Sequence, residues 1–310
     1  MTQPNTATTL VIGEALIDVV HPRDGGSAEH VGGSPLNVAV GLSRLGHPAV
    51  LAPHLGEDER GHRIQRLLTD EGVELTVASF DLDATSTAQA HLDDDGAATY
   101  DFAIDWPAVT GLPTDVAHVH TGSIGASLTP GSASVFEALK AAHASATTSF
   151  DPNVRPSLMG SPDDERERVE QFCGYVDVIK SSDEDAQWLY PGSSVEEIAE
   201  LWAGLGPRLV IITRGGDGAH VRLAESGTFE VAGRSVEVAD TVGAGDSFMS
   251  GLISGLLDLG LLGGVEARQR LAHAREDDVR PALARAVATS STTVTRAGSN
   301  PPTREEIAGL

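Results

Sequence analysis

Lysine is almost missing from these 310 residues: Lys140 and Lys180 are the only two, and the formal net charge is -24. Such a surface repels nucleic acid and anionic membrane, so neither is an expected partner. It also sets a condition on any phosphate chemistry: phosphates must be held by backbone N–H groups, a metal ion and a few arginines. Cysteine occurs once, as Cys173, which excludes an internal disulfide and has no metal-ligand neighbours at zinc spacing. A reducing cytoplasm is the expected location. No run of eighteen apolar residues is present, and the first residues, MTQPNTATTLVIGE, lack the basic n-region of a signal peptide. Against these absences stands an ordinary hydrophobic content of 40%, enough at this length for one large α/β domain or two smaller ones.

Apolar β-rich runs alternate with helix-period runs along most of the chain. TLVIG at 9–13 ends a short strand, and VGGSPLNVAVGLSRLG (31–46) changes to helix period, with Val38, Leu42 and Leu45 on one face and Gly46 suited to end it. RGHRIQRLLTDEGVE places Ile64, Leu67 and Leu68 inward and closes at Gly72. Strand and helix patterns then continue through VAHVHTGSI, SASVFEALKAAHA, TTSFDPN, VDVIKSS, SVEEIAELWAGLG and RLVIITRGGDGA. Repeated alternation of this kind predicts an α/β fold with a mostly parallel sheet covered by helices. Two segments break the rhythm: residues 14–31 and about 85–106 are polar, alternating hairpin material, the second with a DDDG turn at 93–96. They are expected to pair into a small separate sheet over one end of the domain. Residues 261–284 read as helix with a charged, mobile connection around AREDDVRP.

The densest chemistry lies in VADTVGAGDSFMSGLISGLLDLG, 238–260. A phosphate loop of the G-x-x-x-x-G-K-[ST] kind needs a lysine that this stretch does not have. The dinucleotide pattern G-x-G-x-x-G fails too, because position 248 is Phe. What remains is a helix beginning near Asp246, whose first N–H groups, from Gly243, Ala244 and Gly245, point toward an anion. A carboxylate there repels a resting phosphate, but it suits a base that takes a proton from a hydroxyl attacking that phosphate. From the local residues alone, a helix cap explains Asp246 equally well.

DTVGAGDSFMSGL resembles the C-terminal signature of the ribokinase-like (PfkB) carbohydrate kinases, and GGSPLNVAVGLSRLG resembles their N-terminal signature. The resemblance runs from residue 9 to about 303, with both motifs in the family's order. It implies one ribokinase-like domain over 1–310: a three-layer α/β fold with a central sheet, helices on both faces and a β-lid built from the inserts. It also implies ATP-dependent phosphorylation of a sugar hydroxyl, with Mg2+ required by the phosphate chemistry.

By the same resemblance, Asp246 is the catalytic base and Gly243, Ala244 and Gly245 form the anion hole. Asp18 in GEALIDVV binds sugar hydroxyls, although a lone Asp ending a strand is also a plain turn residue. Gly33 and Asn37 contact the sugar: paired glycines let backbone approach the ring, and Asn offers both donor and acceptor. FDPNVRPSL (150–158) resembles the D-x-N-x-R strand end of fructokinase-like and ketodeoxygluconate-kinase-like members, placing Arg155 near the substrate. Alone, DPN is equally a turn. Tyr100 and Phe102 alternate with Asp101, so both face one side, where they cover the sugar or pack the lid.

For the nucleotide, ITRGGDGA (212–219) resembles the T-x-G-x-x-G turn, assigning Thr213, Gly215, Gly216 and Gly218 to ATP, while GGDG by itself is a hairpin turn. Lys180 and Ser182 match the family's K-x-[NS] at the sheet's carboxyl edge. The family's N-x-x-E motif is replaced by Ser182-x-x-Asp185, one methylene shorter, with Glu184 as the neighbouring substitute in the metal-water network. Asp240 and the Val242 backbone match a monovalent-cation site, for potassium in some members, completed by SSTTVTRAGS at 290–299. Lid edges pair into homodimers in this family.

The first motif reads Gly32-Gly33-Ser34-Pro35-Leu36-Asn37 and is similar to fructokinases, where ribokinases tend to read G-G-K-G-A-N. Arg155 is the only cation among the sugar-side candidates, which argues against a phosphorylated substrate. The expected reaction is fructose to fructose 6-phosphate, with ketodeoxygluconate kinase or ribokinase-type activity as the alternative. A non-catalytic nucleotide- or sugar-binding regulator is the reading from a different class, and the intact Asp246 and GAG speak against it. A dinucleotide oxidoreductase fails because VIGEALID, after the first strand, has no glycine fingerprint.

Overall fold

Every residue of the first strand is buried, with Leu10 and Ile12 packed into one hydrophobic core and Val11 into the other. A strand apolar on both faces must lie inside a sheet covered on both sides. The computed structural model describes residues 8–21, 26–92 and 98–309, with backbone alone at 90–92 and 98–100. The chain runs β1 (Thr9–Ile12), β2 (Leu16–His21), β3 (Ala28–Gly32), α1 (Ser34–Arg44), β4 (Ala49–Ala52), β5 (Leu55–Gly56), α2 (Glu59–Asp70), β6 (Glu74–Leu75), β7 (Phe80–Leu82), β8 (Thr87–Leu92) and β9 (Ala98–Ala103). It continues through β10 (His118–Gly122), α3 (Ser123–Ser127), α4 (Gly131–Ala142), β11 (Thr147–Asp151), α5 (Pro162–Cys173), β12 (Val178–Ser182), α6 (Asp183–Leu189) and α7 (Val195–Leu205). Then come β13 (Leu209–Thr213), β14 (Ala219–Leu223), β15 (Gly227–Val231), α8 (Ala244–Asp258), α9 (Val265–Ala272) and α10 (Glu276–Thr293).

Nine strands form the main sheet in the order β15-β14-β13-β12-β11-β10-β1-β4-β6, parallel from β6 to β13 and antiparallel at the β14–β15 edge. One face packs on α1, α2, α8 and α10 through Val11, Leu51, Val178 and Ile211; the other packs on α4, α5 and α7 through Ile12, Val119, Phe150 and Ile212. The two inserts do pair: β3-β2-β8-β9 make a separate four-stranded sheet, antiparallel except between β2 and β8. The DDDG turn lies outside the described residues. Among the described residues, no helix is long and apolar enough to cross a membrane.

Helix α8 is buried on all sides and positions the site. Gly251 and Gly255 face α10 so closely that a Cβ would come 2.9 Å from the Ala286 Cα and 2.5 Å from the Ala282 Cα. On its other side Ser250 lies against Gly41 of α1, where a Cβ would come 2.3 Å from the serine Oγ. Small residues thus let three helices close on one another while Leu252, Ile253 and Leu256 bury fully, each stabilising the core by about 1.5–3 kcal/mol.

The expected mobile connection at AREDDVRP is instead the start of α10. Asp278 accepts the Arg275 N–H at 2.8 Å to cap the helix, and Pro281 sits inside it. Charge and proline suggest a break, but Val279, Ala282, Leu283 and Ala286 recur at helical spacing and pack on α8, which outweighs the hydrogen bond lost at Pro281.

Candidate active site

The parallel strands β1, β10, β11, β12 and β13 end at one edge of the sheet, and α1 and α8 begin beside it. Ligands of α/β sheets gather at such carboxyl edges. Gly243 precedes α8 with φ 75°, a left-handed turn that leaves no room for a side chain, since a Cβ would lie 2.2 Å from Ser299 Oγ. Asp246 follows in the first turn, only 8% exposed. Its two oxygens accept hydrogen bonds from Ser34 Oγ and Asn37 Nδ2, each at 2.7 Å. Burial raises its pKa above the ordinary Asp range and Asp151 adds to the rise, while Asn37, Ser34 and Lys180 oppose it. A carboxylate held on both oxygens, with a raised pKa, is equipped to accept a proton.

Of the N–H groups in the expected anion hole, that of Ala244 donates to Thr241 O at 3.2 Å, while those of Gly243 and Gly245 meet no acceptor among the described residues. The Lys180 ammonium borders the same turn: a Cβ on Gly245 would come 2.9 Å from its Nζ. Lys180 is buried and paired with Asp151 at 2.9 Å. Burial alone would lower its pKa, but Asp151, with Asp246 and Asp185 beyond it, raises it, so the group stays charged. Three carboxylates around one ammonium leave this pocket net negative by about two charges. Polyphosphate would enter such a pocket only with a cation, and the hard oxygens of Asp151 and Asp185 fit a divalent ion.

On the sugar side, Asp18 pairs in register with His30 and Ala88, and its Oδ2 lies where a Cβ on Gly32 would be, 2.0 Å away. Burial raises its pKa against the charges of His30 and Arg155. Gly33, at φ 116°, caps α1 tightly over Glu14, whose carbonyl would lie 2.4 Å from a Cβ there. The Asn37 donor that was expected on a sugar hydroxyl is engaged by Asp246. Arg155 is exposed and donates to Asn153 Oδ1 at 2.8 Å and to Val154 O at 3.0 Å, yet its charge acts on Glu14, Asp18 and Asp185 together. Phe102 is half-buried in a small cluster with Leu16, Ala88 and Ile124, so it packs the small sheet onto α3. The side chain of Tyr100 lies outside the described residues.

On the nucleotide side, Ser182 caps α6 by accepting the Asp185 N–H at 3.0 Å and pairs in register with Thr213, whose hydroxyl donates to Ser181 O at 3.2 Å. Gly215 and Gly216 face open space, but Gly218 does not: a Cβ there would lie 1.9 Å from Val231 O. Its glycine is therefore demanded by the β14–β15 hairpin. Asp185 is half-buried, with a pKa raised first by burial and then by Asp151, whereas the adjacent Glu184 is exposed. Asp240 accepts from Val242 N at 3.0 Å and Gly298 N at 2.8 Å, which lowers its pKa and ties the two expected cation-binding segments together. Val242 is 54% exposed, and the neighbouring Ser299 Oγ is buried without a partner.

Three residues here were not assigned from sequence. Asp151 was legible in principle, because it ends β11 and opens the recognised D-x-N-x-R stretch. Ser34 sits inside a recognised motif. Glu14 gave no signal: its carboxyl is buried, accepts the Gly125 N–H at 2.9 Å, and is raised to a pKa of about 7 by burial against Ser123, backbone groups and Arg155.

A family model described as pfkB family carbohydrate kinase matches residues 7–306. A fructokinase of Klebsiella pneumoniae is 33% identical over 261 residues, covering 81% of this chain and 85% of that protein. A fructokinase of Xylella fastidiosa with bound ATP superposes with a TM-score of 0.82 at 24% identity, over 98% of this chain and 97% of that one. A fructokinase double mutant of Vibrio cholerae O395, bound to fructose, ADP and potassium, superposes with a TM-score of 0.77 at 26% identity, over 96% and 95%.

Proposed function

The chain belongs to the pfkB family of carbohydrate kinases, and from that premise we propose that it transfers the γ-phosphoryl group of ATP to a hydroxyl of free fructose, giving fructose 6-phosphate. The observation that carries this reading is the Asp246 carboxylate, held by Ser34 and Asn37 at the mouth of α8. The sugar hydroxyl gives its proton to Asp246 as its oxygen bonds to the γ-phosphorus. The bond from that phosphorus to the bridging oxygen breaks, and ADP leaves. The N–H groups of Gly243 and Gly245 and the Lys180 ammonium take up the charge growing on the phosphoryl oxygens.

Thr213, Gly215, Gly216 and Ser182 line the nucleotide side. Asp185 and Asp151 would hold a divalent metal ion, Mg2+ in this proposal, which supplies charge neutralisation to the phosphates. Asp240 and the Val242 backbone would hold potassium. The ADP-, fructose- and potassium-bound Vibrio cholerae protein supports both the sugar and the cation by likeness. The small sheet closes over the sugar as a lid, and its outer strands β3 and β9 would pair two copies through their open edges.

Free fructose is favoured over a sugar phosphate because this side carries the acids Asp18 and Glu14, with Arg155 acting on both and His30 on Asp18 alone. The charge of Arg155 already acts on both acids, which disfavours the carboxylate of ketodeoxygluconate. A coupled ADP-release assay across fructose, ribose, ketodeoxygluconate, tagatose 6-phosphate and fructose 6-phosphate tests the assignment. Fructose is expected to give the highest kcat/KM; preference for a phosphorylated sugar would overturn it.

A further inference from the structure

Glu14 occupies an unusual position for a carboxyl group. It is 3% exposed just beyond β1, and its Oε2 accepts the Gly125 N–H at 2.9 Å. Beside it stands Ser123, 1% exposed, whose Oγ lies near the carboxyl but completes no hydrogen bond. Ser123 also holds φ 54°, a left-handed backbone that serine rarely adopts. Buried polar atoms are normally paired, so a serine hydroxyl left open against a buried carboxyl, on a strained backbone, points to a ligand.

Their place in the fold says which ligand. The Glu14 carbonyl abuts Gly33 at the start of α1, and Ser123 follows Gly122, which pairs in register with Asp151. Ile124, the next residue, packs against Leu16, Ala88 and Phe102 of the small sheet. Glu14 and Ser123 thus stand where the floor of the sugar pocket meets the lid, between the sugar-side residues Asp18 and Gly33 and the loop after β11 that carries Arg155. Both are neutral-to-acidic hydroxyl readers: a carboxyl oxygen accepts from a hydroxyl, and Ser Oγ donates or accepts.

We propose that Glu14 and Ser123 form a second hydroxyl-binding wall of the sugar pocket that reads a hydroxyl other than the one phosphorylated and so sets substrate specificity. This rests on the sugar-kinase reading above. A site built to bond a hydroxyl rejects the analogue lacking it, because its own buried groups are then left unpaired. A phosphate ester at that position is excluded by the carboxyl itself.

The test is steady-state kinetics of the wild type, Glu14→Gln and Ser123→Ala on fructose, 1-deoxyfructose, 3-deoxyfructose, 4-deoxyfructose and 2,5-anhydromannitol. Gln keeps the volume and the acceptor for Gly125, and the melting temperature of each variant checks that α3 stays anchored. In the wild type, one analogue is expected to lose at least about tenfold in kcat/KM. Glu14→Gln is expected to raise KM for fructose by about tenfold or more, with kcat falling less, and to show no further loss on that one analogue. Ser123→Ala is expected to single out the same analogue. If both variants lose the same factor as the wild type on every analogue, Glu14 only anchors α3 and the inference is overturned. If the wild type turns over no free sugar at all, the kinase reading itself fails, and the inference falls with it.

Discussion

Asn37 Nδ2 donates to Asp246 Oδ2 at 2.7 Å, joining the helices that open the N-terminal and C-terminal motifs across 209 positions of sequence. The contact makes the sugar-side motif a support for the base as well as a candidate sugar contact. With Ser34 on the other oxygen, the carboxylate has one orientation.

Asp246→Asn removes the proton acceptor while keeping shape and the hydrogen bond from Ser34. Turnover is expected to fall by about three decades or more, with sugar affinity largely kept. Retained turnover in a coupled assay would reduce Asp246 to a helix cap.

Asn37→Ala removes one of the two bonds that stabilise the Asp246 anion. The pKa of the base, already raised by burial, should rise further. The acid limb of the pH–kcat profile is therefore expected to move to higher pH, and kcat at neutral pH to fall about tenfold or more. A profile that keeps its acid limb in place while only KM changes would mean that Asn37 serves the sugar alone.

Gly245→Ala separates stability from chemistry. The position lies in the first turn of α8, where Ala is a better helix former than Gly by roughly 1 kcal/mol. Its Cβ, however, would come 2.9 Å from Lys180 Nζ and displace the ammonium from the anion site. The expected outcome is a melting temperature at or near wild type with kcat reduced about a hundredfold. Unchanged kcat would show that Lys180 has no part in phosphoryl transfer.

Asp151→Asn leaves Lys180 charged and buried without its 2.9 Å partner. Breaking a buried pair in this way costs about 3 kcal/mol, measured by denaturant unfolding. Combining it with Lys180→Met is expected to recover part of that stability while abolishing turnover. Equal stability of the single and double variants would show the two charges to be independent.

Glu14 gives a pH signature in stability. Its pKa is raised on folding from 4.5 to about 7, so the folded state holds a proton that the unfolded chain has released. The stabilisation is fully present below pH 4.5 and is lost as pH rises through about 7, an effect of about 3 kcal/mol. Glu14→Gln abolishes this dependence, so the variant is expected to gain stability relative to wild type between pH 5 and pH 8. Parallel pH–stability curves would place the Glu14 carboxyl in an ordinary environment.

What the sequence by itself determined is local and periodic. Alternation of apolar strands with helix-period segments implied a covered, mostly parallel sheet, and the two polar inserts implied the separate small sheet that β2, β3, β8 and β9 form. The glycines and Asp246 at the start of α8 were legible because turn and cap chemistry act over a few residues. The α10 start was misread for the same reason, since charge and proline are local signals and packing on α8 overrode them.

Tertiary structure alone decided how these pieces meet. It turned Asn37 toward Asp246, joined Lys180 to Asp151, assigned Gly218 to the hairpin and left Glu184 exposed beside a half-buried Asp185. It also buried Glu14 next to an unpaired serine, which no spacing in the sequence announces. Desolvation and long-range charge depend on which strands and helices become neighbours, and that neighbourhood exists only once the chain has closed.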